Sequence, residues 1–263
     1  MNSIFIYELK LNLKTLIIWS LAVGGMGLVC ILLYKSMQGD MKEMADAFSN
    51  MGAFSDAFGM STLSIVTLKG YFATEVGTVH GIGSGMFAAI IAIGIISKEE
   101  EMHSGEFLLS LPVSRNKVVL AKSLSVLIML VLFTLICSVL YVLGFVMLDE
   151  EVPVNEFVRF MSSQFLMNLE IASLCLLISA FSSKNKMGLG LGLAMILYFY
   201  DLIGRVVPDM KDYLFISPYS YANASEIFSD KDIEALPFVL ALVVIVSAIS
   251  LAFASYNKRD LAS

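Results

Sequence analysis

Charged residues are scarce in this chain: Asp, Glu, Lys and Arg together make up 15% of its 263 residues, whereas hydrophobic residues make up 58%. Soluble domains hold roughly 45–50% apolar residues. The mean hydropathy of +0.82 therefore excludes an ordinary soluble domain and indicates a membrane protein.

Cysteine is also scarce, and its placement excludes two kinds of site. Cys30, Cys137 and Cys175 all fall within apolar runs, so the chain has neither a disulfide framework nor the ligand spacing of a metal cluster. We expect no cofactor and no metal to bind this chain. The net charge of −6 gives no support for a nucleic-acid partner either.

The signatures of membrane-embedded enzymes are missing. The chain contains no His-Glu-x-x-His and no Gly-x-Ser-x-Gly, and Tyr200-Asp201, which matches one half of an aspartyl-protease signature, has no Gly-x-Gly-Asp counterpart. An intramembrane enzyme is therefore the least favoured interpretation.

What the chain does contain is a series of six apolar runs. Each is about as long as the roughly 20 residues that a helix needs to cross a bilayer. The predicted fold is an all-α integral membrane protein whose single transmembrane domain covers residues 1–263, and residues 1–14 are predicted to form a helix in the membrane interface. The predicted spans are residues 15–34, 76–97, 118–148, 160–181, 187–205 and 235–256.

The distribution of Lys and Arg predicts the orientation. The side with the N-terminus, the 98–122 segment, the turn at Lys184 and the C-terminus carries ten Lys and Arg against six Asp and Glu, and the other side carries seven against seventeen. Because cytoplasmic segments are enriched in Lys and Arg, both termini should be cytoplasmic, with residues 35–72 and 206–234 extracellular. The apolar residues over 37–48 recur at helical spacing, which predicts an amphipathic helix on the membrane surface. A soft-metal site formed by the methionines of this segment is the alternative.

The densest charged block lies between the second and third spans, from Lys98 to Lys122. Glu99 to Leu109 is predicted to form a short cytoplasmic helix whose acidic start suits the positive end of the helix dipole. Leu111-Pro112 ends it, because the residue before a proline disfavours the helical region. The block should be a stiff element joined to two long helices.

This block reads Glu-Glu-Glu-x-x-x-Gly105-Glu-Phe-Leu-Leu-Ser-Leu-Pro112-Val-Ser-Arg115, followed by a lysine at the start of the next span. It resembles the segment between the second and third spans in membrane subunits of ATP-binding-cassette exporters of the second type. The resemblance implies a coupling helix that contacts a separate ATPase. The coupling residues that it implies are Glu99, Glu100, Glu101, Gly105, Glu106, Leu108 and Arg115.

The resemblance also implies partners and a task. The chain should be a permease subunit of the bacterial plasma membrane that pairs with a second permease copy and moves an amphipathic or hydrophobic substrate, or an ion, outward. ATP and Mg should be held by the P-loop ATPase partner. This sequence lacks the ATP-binding motif Gly-x-x-x-x-Gly-Lys-Ser/Thr, which agrees with ATP binding by a separate chain.

Three charged residues within the spans are candidates for a substrate path. Glu170 lies in the middle of the fourth span, where a carboxylate is costly and often functional; it could line the path or bond to a neighbouring helix. An ion-coupled secondary transporter that uses Glu170 is the alternative function. Asp201 and Arg205 stand four residues apart, which favours an ion pair on one helix face over a substrate contact.

Overall fold

The chain forms a bundle of long helices. A computed structural model describes residues 2–39, 63–102, 113–229 and 234–258, together with positions 43, 45, 52 and 55. Six of the helices in these ranges are long and apolar enough to cross a membrane, which confirms the predicted number of spans. In chain order the helices are α1 (Asn2–Met37), α2 (Leu68–Ile93), α3 (Lys98–Glu101), α4 (Arg115–Met147), α5 (Val154–Phe181), α6 (Met187–Val206), α7 (Pro218–Tyr221), α8 (Ala224–Phe228) and α9 (Ala235–Lys258).

Several helices begin earlier than the sequence predicts. The predicted division between an interfacial helix over 1–14 and a span over 15–34 is not seen, because α1 continues without a break from Asn2 to Met37. Helix α2 begins at Leu68 rather than at 76, since the side chain of Thr67 accepts a hydrogen bond from the N–H of Gly70 and caps the first turn. Helix α5 begins at Val154 rather than at 160.

The predicted extracellular segment 206–234 is folded over most of its length. A 3₁₀ helix (Pro208–Ile216) follows α6, and α7 and α8 come next. Both short helices pack against α5. The predicted amphipathic helix over 37–48 and the second half of the predicted coupling helix lie outside the described residues.

An aromatic cluster fills the core between α2, α4 and α5. Phe72 lies in a π-helical turn of α2 (Phe72–Val76) and is completely buried. Its ring centroid lies 5.3–6.1 Å from those of five other aromatic residues, and contacts of this kind favour a fixed packing of the helices. The five are Tyr141, Phe145, Phe157, Phe160 and Phe228.

The connections alternate between two ends of the bundle. At one end Lys122 of α4 bonds to Glu8 of α1, and Arg115 donates to the carbonyl oxygen of Tyr256 at 3.2 Å; we call it the Lys122 end. At the other end Lys35 donates to the carbonyl oxygen of Leu148 at 2.5 Å. Arg205 also lies there, and we call it the Arg205 end.

Gly77 allows α8 to lie directly against α2. A Cβ atom at Gly77 would lie 2.4 Å from the Cβ of Ala224. We expect the free energy of unfolding of Gly77→Ala to be about 1–3 kcal/mol lower than that of the same substitution at a helical glycine with free space around it. The added methyl group overpacks the contact, so the two helices must shift. Chemical denaturation of the purified protein in detergent measures this difference.

Gly192→Ala is the matched control for Gly77→Ala. Gly192 is also helical, but a Cβ there would meet no atom of the described residues within 4 Å. Both substitutions gain about 1 kcal/mol of helix propensity, so that gain cancels in the comparison. Equal stability of the two variants would show that the α2 and α8 contact tolerates a methyl group.

Candidate coupling site and candidate substrate path

Lys122 is a buried cation at the centre of the Lys122 end. Its side chain is 1% exposed, and its ammonium group contacts Glu8 Oε1 at 2.8 Å, the carbonyl oxygen of Ile95 at 2.5 Å and the carboxylate of Glu99. A lysine ammonium has three N–H donors, and here each has an acceptor. Lys122 therefore joins α4 to α1, to the loop after α2 and to α3.

The other oxygen of Glu8 bonds to Lys98, which completes an alternating row of charges. The row runs Lys98, Glu8, Lys122, Glu99, and we call it the buried charge cluster. Glu8 is 1% exposed and Lys98 is 17% exposed. Two cations and two carboxylates balance within the cluster, which is the condition under which ionised groups can stay buried.

Burial changes the proton affinity of the two cluster members that lie outside the spans. Burial raises the pKa of the Glu99 carboxyl above its ordinary value, although the Lys122 ammonium opposes the shift. Burial, reinforced by the charge of Lys122, lowers the pKa of Lys98, while the pairing with Glu8 opposes that shift. In both cases the environment favours the neutral form, so the ionised cluster depends on its internal pairing.

The raised pKa of Glu99 predicts a pH dependence of stability. The folded chain holds the Glu99 proton at a pH where the unfolded chain has lost it, so this contribution is fully present below the unfolded pKa and is lost as the pH rises through the folded pKa. We expect the free energy of unfolding of the parent, minus that of Glu99→Gln, to fall as the pH rises across that window. Denaturation series between about pH 4 and pH 8 measure it. A difference that grows with pH would contradict the raised pKa.

Helix α3 is also attached to the turn between α5 and α6. Glu101 accepts a hydrogen bond from the N–H of Asn185 at 2.9 Å. The N–H groups of Ile96 and Ser97 donate to Ser179 Oγ at 3.0 and 3.1 Å. The short α3 is thus bonded to α1, to α4 and to the turn between α5 and α6, and the two residues just before it are bonded to α5.

The structure brings several of the predicted coupling residues to this end. Glu99 belongs to the buried charge cluster, Glu101 holds the turn, and Glu100 is 7% exposed. Arg115 begins α4 and bonds to the end of α9. Gly105, Glu106 and Leu108 lie outside the described residues.

Glu8 is the member of this site that sequence reasoning missed. The pattern of residues 1–14 predicts an interfacial helix, yet Glu8 is almost fully buried between Lys98 and Lys122. A signal for it exists in the sequence: Glu8 is the only acidic residue in the first 39 positions, and Lys122 is followed by an uncharged run to residue 148. Single charges of opposite sign at the edges of two apolar helices are candidates for a pair.

Glu170, the first candidate for a substrate path, is buried on α5. It is 6% exposed, and its carboxylate accepts a hydrogen bond from the Tyr221 hydroxyl at 2.8 Å. Tyr221 belongs to α7, so the carboxylate holds a short helix of the Arg205 end against the bundle. This bond fits a structural role for Glu170. A role in the substrate path also stays open, because Tyr221 lines a cavity.

Asp201 and Arg205 form the predicted ion pair on α6. Arg205 Nε lies 2.8 Å from Asp201 Oδ2, and Nη2 lies 3.1 Å from Oδ1, which is the paired geometry that a guanidinium gives with a carboxylate. The Nη1 atom adds a contact of 2.7 Å to Glu226 of α8. The ion pair therefore also fastens α8 to α6.

Two cavities lie beside these residues at the Arg205 end. The larger, of about 520 Å³, is lined by Arg205, Tyr221 and Glu226 among others. The smaller, of about 50 Å³, is lined by Asp201 and by Gln164 of α5. Each of the three predicted path residues thus lies on a cavity wall or one hydrogen bond from it. The described residues contain no cluster of His, Cys, Asp and Glu that could hold a metal.

Six helices of spanning length, with buried charges gathered at both ends of the bundle, define a multi-pass membrane protein. The family model of the ABC-2 family transporter proteins matches residues 4–261. The chain therefore belongs to this family and is a permease of the ABC-2 type, which confirms the resemblance in residues 98–122. A search of the curated proteins found no match.

Proposed function

We propose that this permease is the membrane-spanning subunit of an ATP-driven exporter. It works with a second permease copy and with a separate P-loop ATPase that binds ATP and Mg. It moves an amphipathic or hydrophobic substrate (a peptide, a drug or a lipid-like molecule) or an ion outward by alternating access. The Lys122 end and both termini face the cytoplasm of a bacterial plasma membrane.

The buried charge cluster is the observation that carries this proposal. It joins α3 to α1 through Lys98 and Glu8, and to α4 through Glu99 and Lys122. The bond from Glu101 to Asn185 extends the connection to the turn between α5 and α6. A force on the segment that contains α3 is therefore delivered to several spans together.

The mechanism begins at the ATPase contact. Closure of the ATPases on ATP displaces the segment that begins with α3, and the bonds of α3 move α1, α4 and the turn before α6 with it. Ionic bonds suit this task, because a buried pair has few alternative arrangements of comparable energy and so resists slippage. Helix α6 carries the movement to Asp201 and Arg205 at the opposite end, where the substrate leaves.

Reconstitution with the partner ATPase, identified by its co-purification with the permease, tests the coupling. The vesicles are assayed for the increase in ATP hydrolysis that the permease causes and for transport. Glu100→Gln and Glu101→Gln should reduce both signals severalfold while the melting temperature of the permease stays close to that of the parent. Asp209→Asn, at an exposed position in the 3₁₀ helix of the Arg205 end, is the control and should leave both signals unchanged.

Two outcomes would overturn the proposal. The first is normal stimulation of ATP hydrolysis by Glu100→Gln and Glu101→Gln. The second is transport driven by an imposed proton or sodium gradient in vesicles without any ATPase. The second outcome, if abolished by Glu170→Gln, would establish the ion-coupled carrier, which the burial of Glu170 beside Tyr221 supports.

A further inference from the structure

A groove follows the membrane-facing side of the bundle between α4 and α5. It encloses about 430 Å³, and its apolar wall includes Val131 and Leu135 of α4 and Phe157, Met161 and Phe165 of α5. Leu135 is 56% exposed, which is expected of a side chain that faces hydrocarbon. From Phe157 to Phe165 the groove follows α5 for roughly 12 Å at the usual rise per residue.

A second hollow continues the groove to the Arg205 end. It encloses about 530 Å³ and is lined by Asn155 and Arg159, together with Val154, Glu156 and Val158. Val158 also lines the apolar groove, so the two spaces lie side by side along α5. The combined site is polar where α5 begins and apolar at greater depth.

The Ser138 hydroxyl in the groove does not require a polar ligand. Ser138 Oγ donates to the carbonyl oxygen of Thr134 at 2.7 Å, so its proton is used within α4. A hydroxyl that bonds to its own helix presents mainly carbon to a neighbouring molecule. An acyl chain therefore fits the depth of the groove.

The charges at the mouth favour a headgroup that carries both signs. Glu156 is paired with Lys69 at 2.6 Å, and Arg159, one turn further along α5, adds a positive charge. The loop that leads into α5 contributes the exposed carboxylates of Glu150 and Glu151, and that of Asp149. A guanidinium suits a phosphate, and the acidic loop suits an ammonium.

We infer that this site binds a zwitterionic phospholipid of the phosphatidylethanolamine type. The phosphate lies at Arg159, the ammonium group faces the acidic loop at residues 149–151, and one acyl chain lies in the groove between α4 and α5. An anionic lipid without an amine is disfavoured, since its net charge would meet the same loop. The inference is independent of the proposed export function.

Native mass spectrometry of the purified permease tests the site. The probes are phosphatidylethanolamine and phosphatidylglycerol with identical acyl chains, added to protein stripped of lipid by detergent. We expect one phosphatidylethanolamine to stay bound at energies that release phosphatidylglycerol. Arg159→Gln should weaken its binding about tenfold, as the loss of one charge-assisted hydrogen bond predicts.

A second variant tests the groove and does not depend on the headgroup. Leu135→Trp fills the groove and should prevent retention of the lipid, whereas Val246→Trp, at another well exposed apolar position on α9, should not. Lys211→Gln is the charge control at the same end. Equal retention of the two lipids, a preference for phosphatidylglycerol, or binding that survives both Arg159→Gln and Leu135→Trp would overturn the inference.

Discussion

Replacing Lys122 by methionine is expected to lower the free energy of unfolding by about 3–5 kcal/mol, the usual cost of removing one partner from a buried ionic network. The substitution keeps the length and apolar stem of the side chain but leaves Glu8 and Glu99 without their shared cation. Glu8 is 1% exposed and Glu99 15% exposed, so water can compensate little for the loss. Denaturation in detergent, followed by circular dichroism, measures the change.

Two matched variants separate the charge effect from loss of packing. Lys117→Met removes a lysine from an exposed position on the same helix and should change the stability by less than about 0.5 kcal/mol. The double variant Lys122→Met, Glu99→Gln leaves Lys98 paired with Glu8, so no charge of the cluster is stranded and most of the loss should be recovered. A double variant as unstable as Lys122→Met alone would show that Lys122 acts through packing.

The separation of two partners along the chain decides whether the sequence could predict their contact. The spans were predictable because each is a continuous apolar run, and the pair of Asp201 and Arg205 was predictable because partners four residues apart share a helix face. The bond from Lys122 to Glu8 joins residues 114 positions apart. It depends on α1 packing against α4, which no local pattern specifies.

The position of α1 shows the same limit. Lys10 and Lys14 among apolar residues are typical of a helix in the membrane interface, which is the prediction for residues 1–14. No proline or glycine interrupts residues 2–23, so the helix continues, and the pairing of Glu8 with Lys98 and Lys122 holds its first turns within the bundle. The identity of the partners, Tyr221 for Glu170 and Glu226 for Arg205, likewise does not follow from the sequence, because each partner lies on a separate helix.

The second large effect is expected at the opposite end of the bundle. Arg205→Met should lower the free energy of unfolding by about 3 kcal/mol, because it leaves the 7% exposed side chain of Asp201 without its partner. The loss should be smaller than for Lys122→Met, since the other partner, Glu226, has a side chain that is 42% exposed and can be solvated. Chemical denaturation of Arg205→Met, Asp201→Asn and the double variant gives the coupling energy of the pair.

The double variant also decides between the two roles of this ion pair. Asp201→Asn with Arg205→Met removes both charges together, and its stability should return to within about 1 kcal/mol of the parent, because no buried charge is left unpaired. If the pair is only structural, transport by the double variant should be close to normal. Stable protein without transport would instead place Asp201 and Arg205 in contact with the substrate, as their positions on the two cavity walls allow.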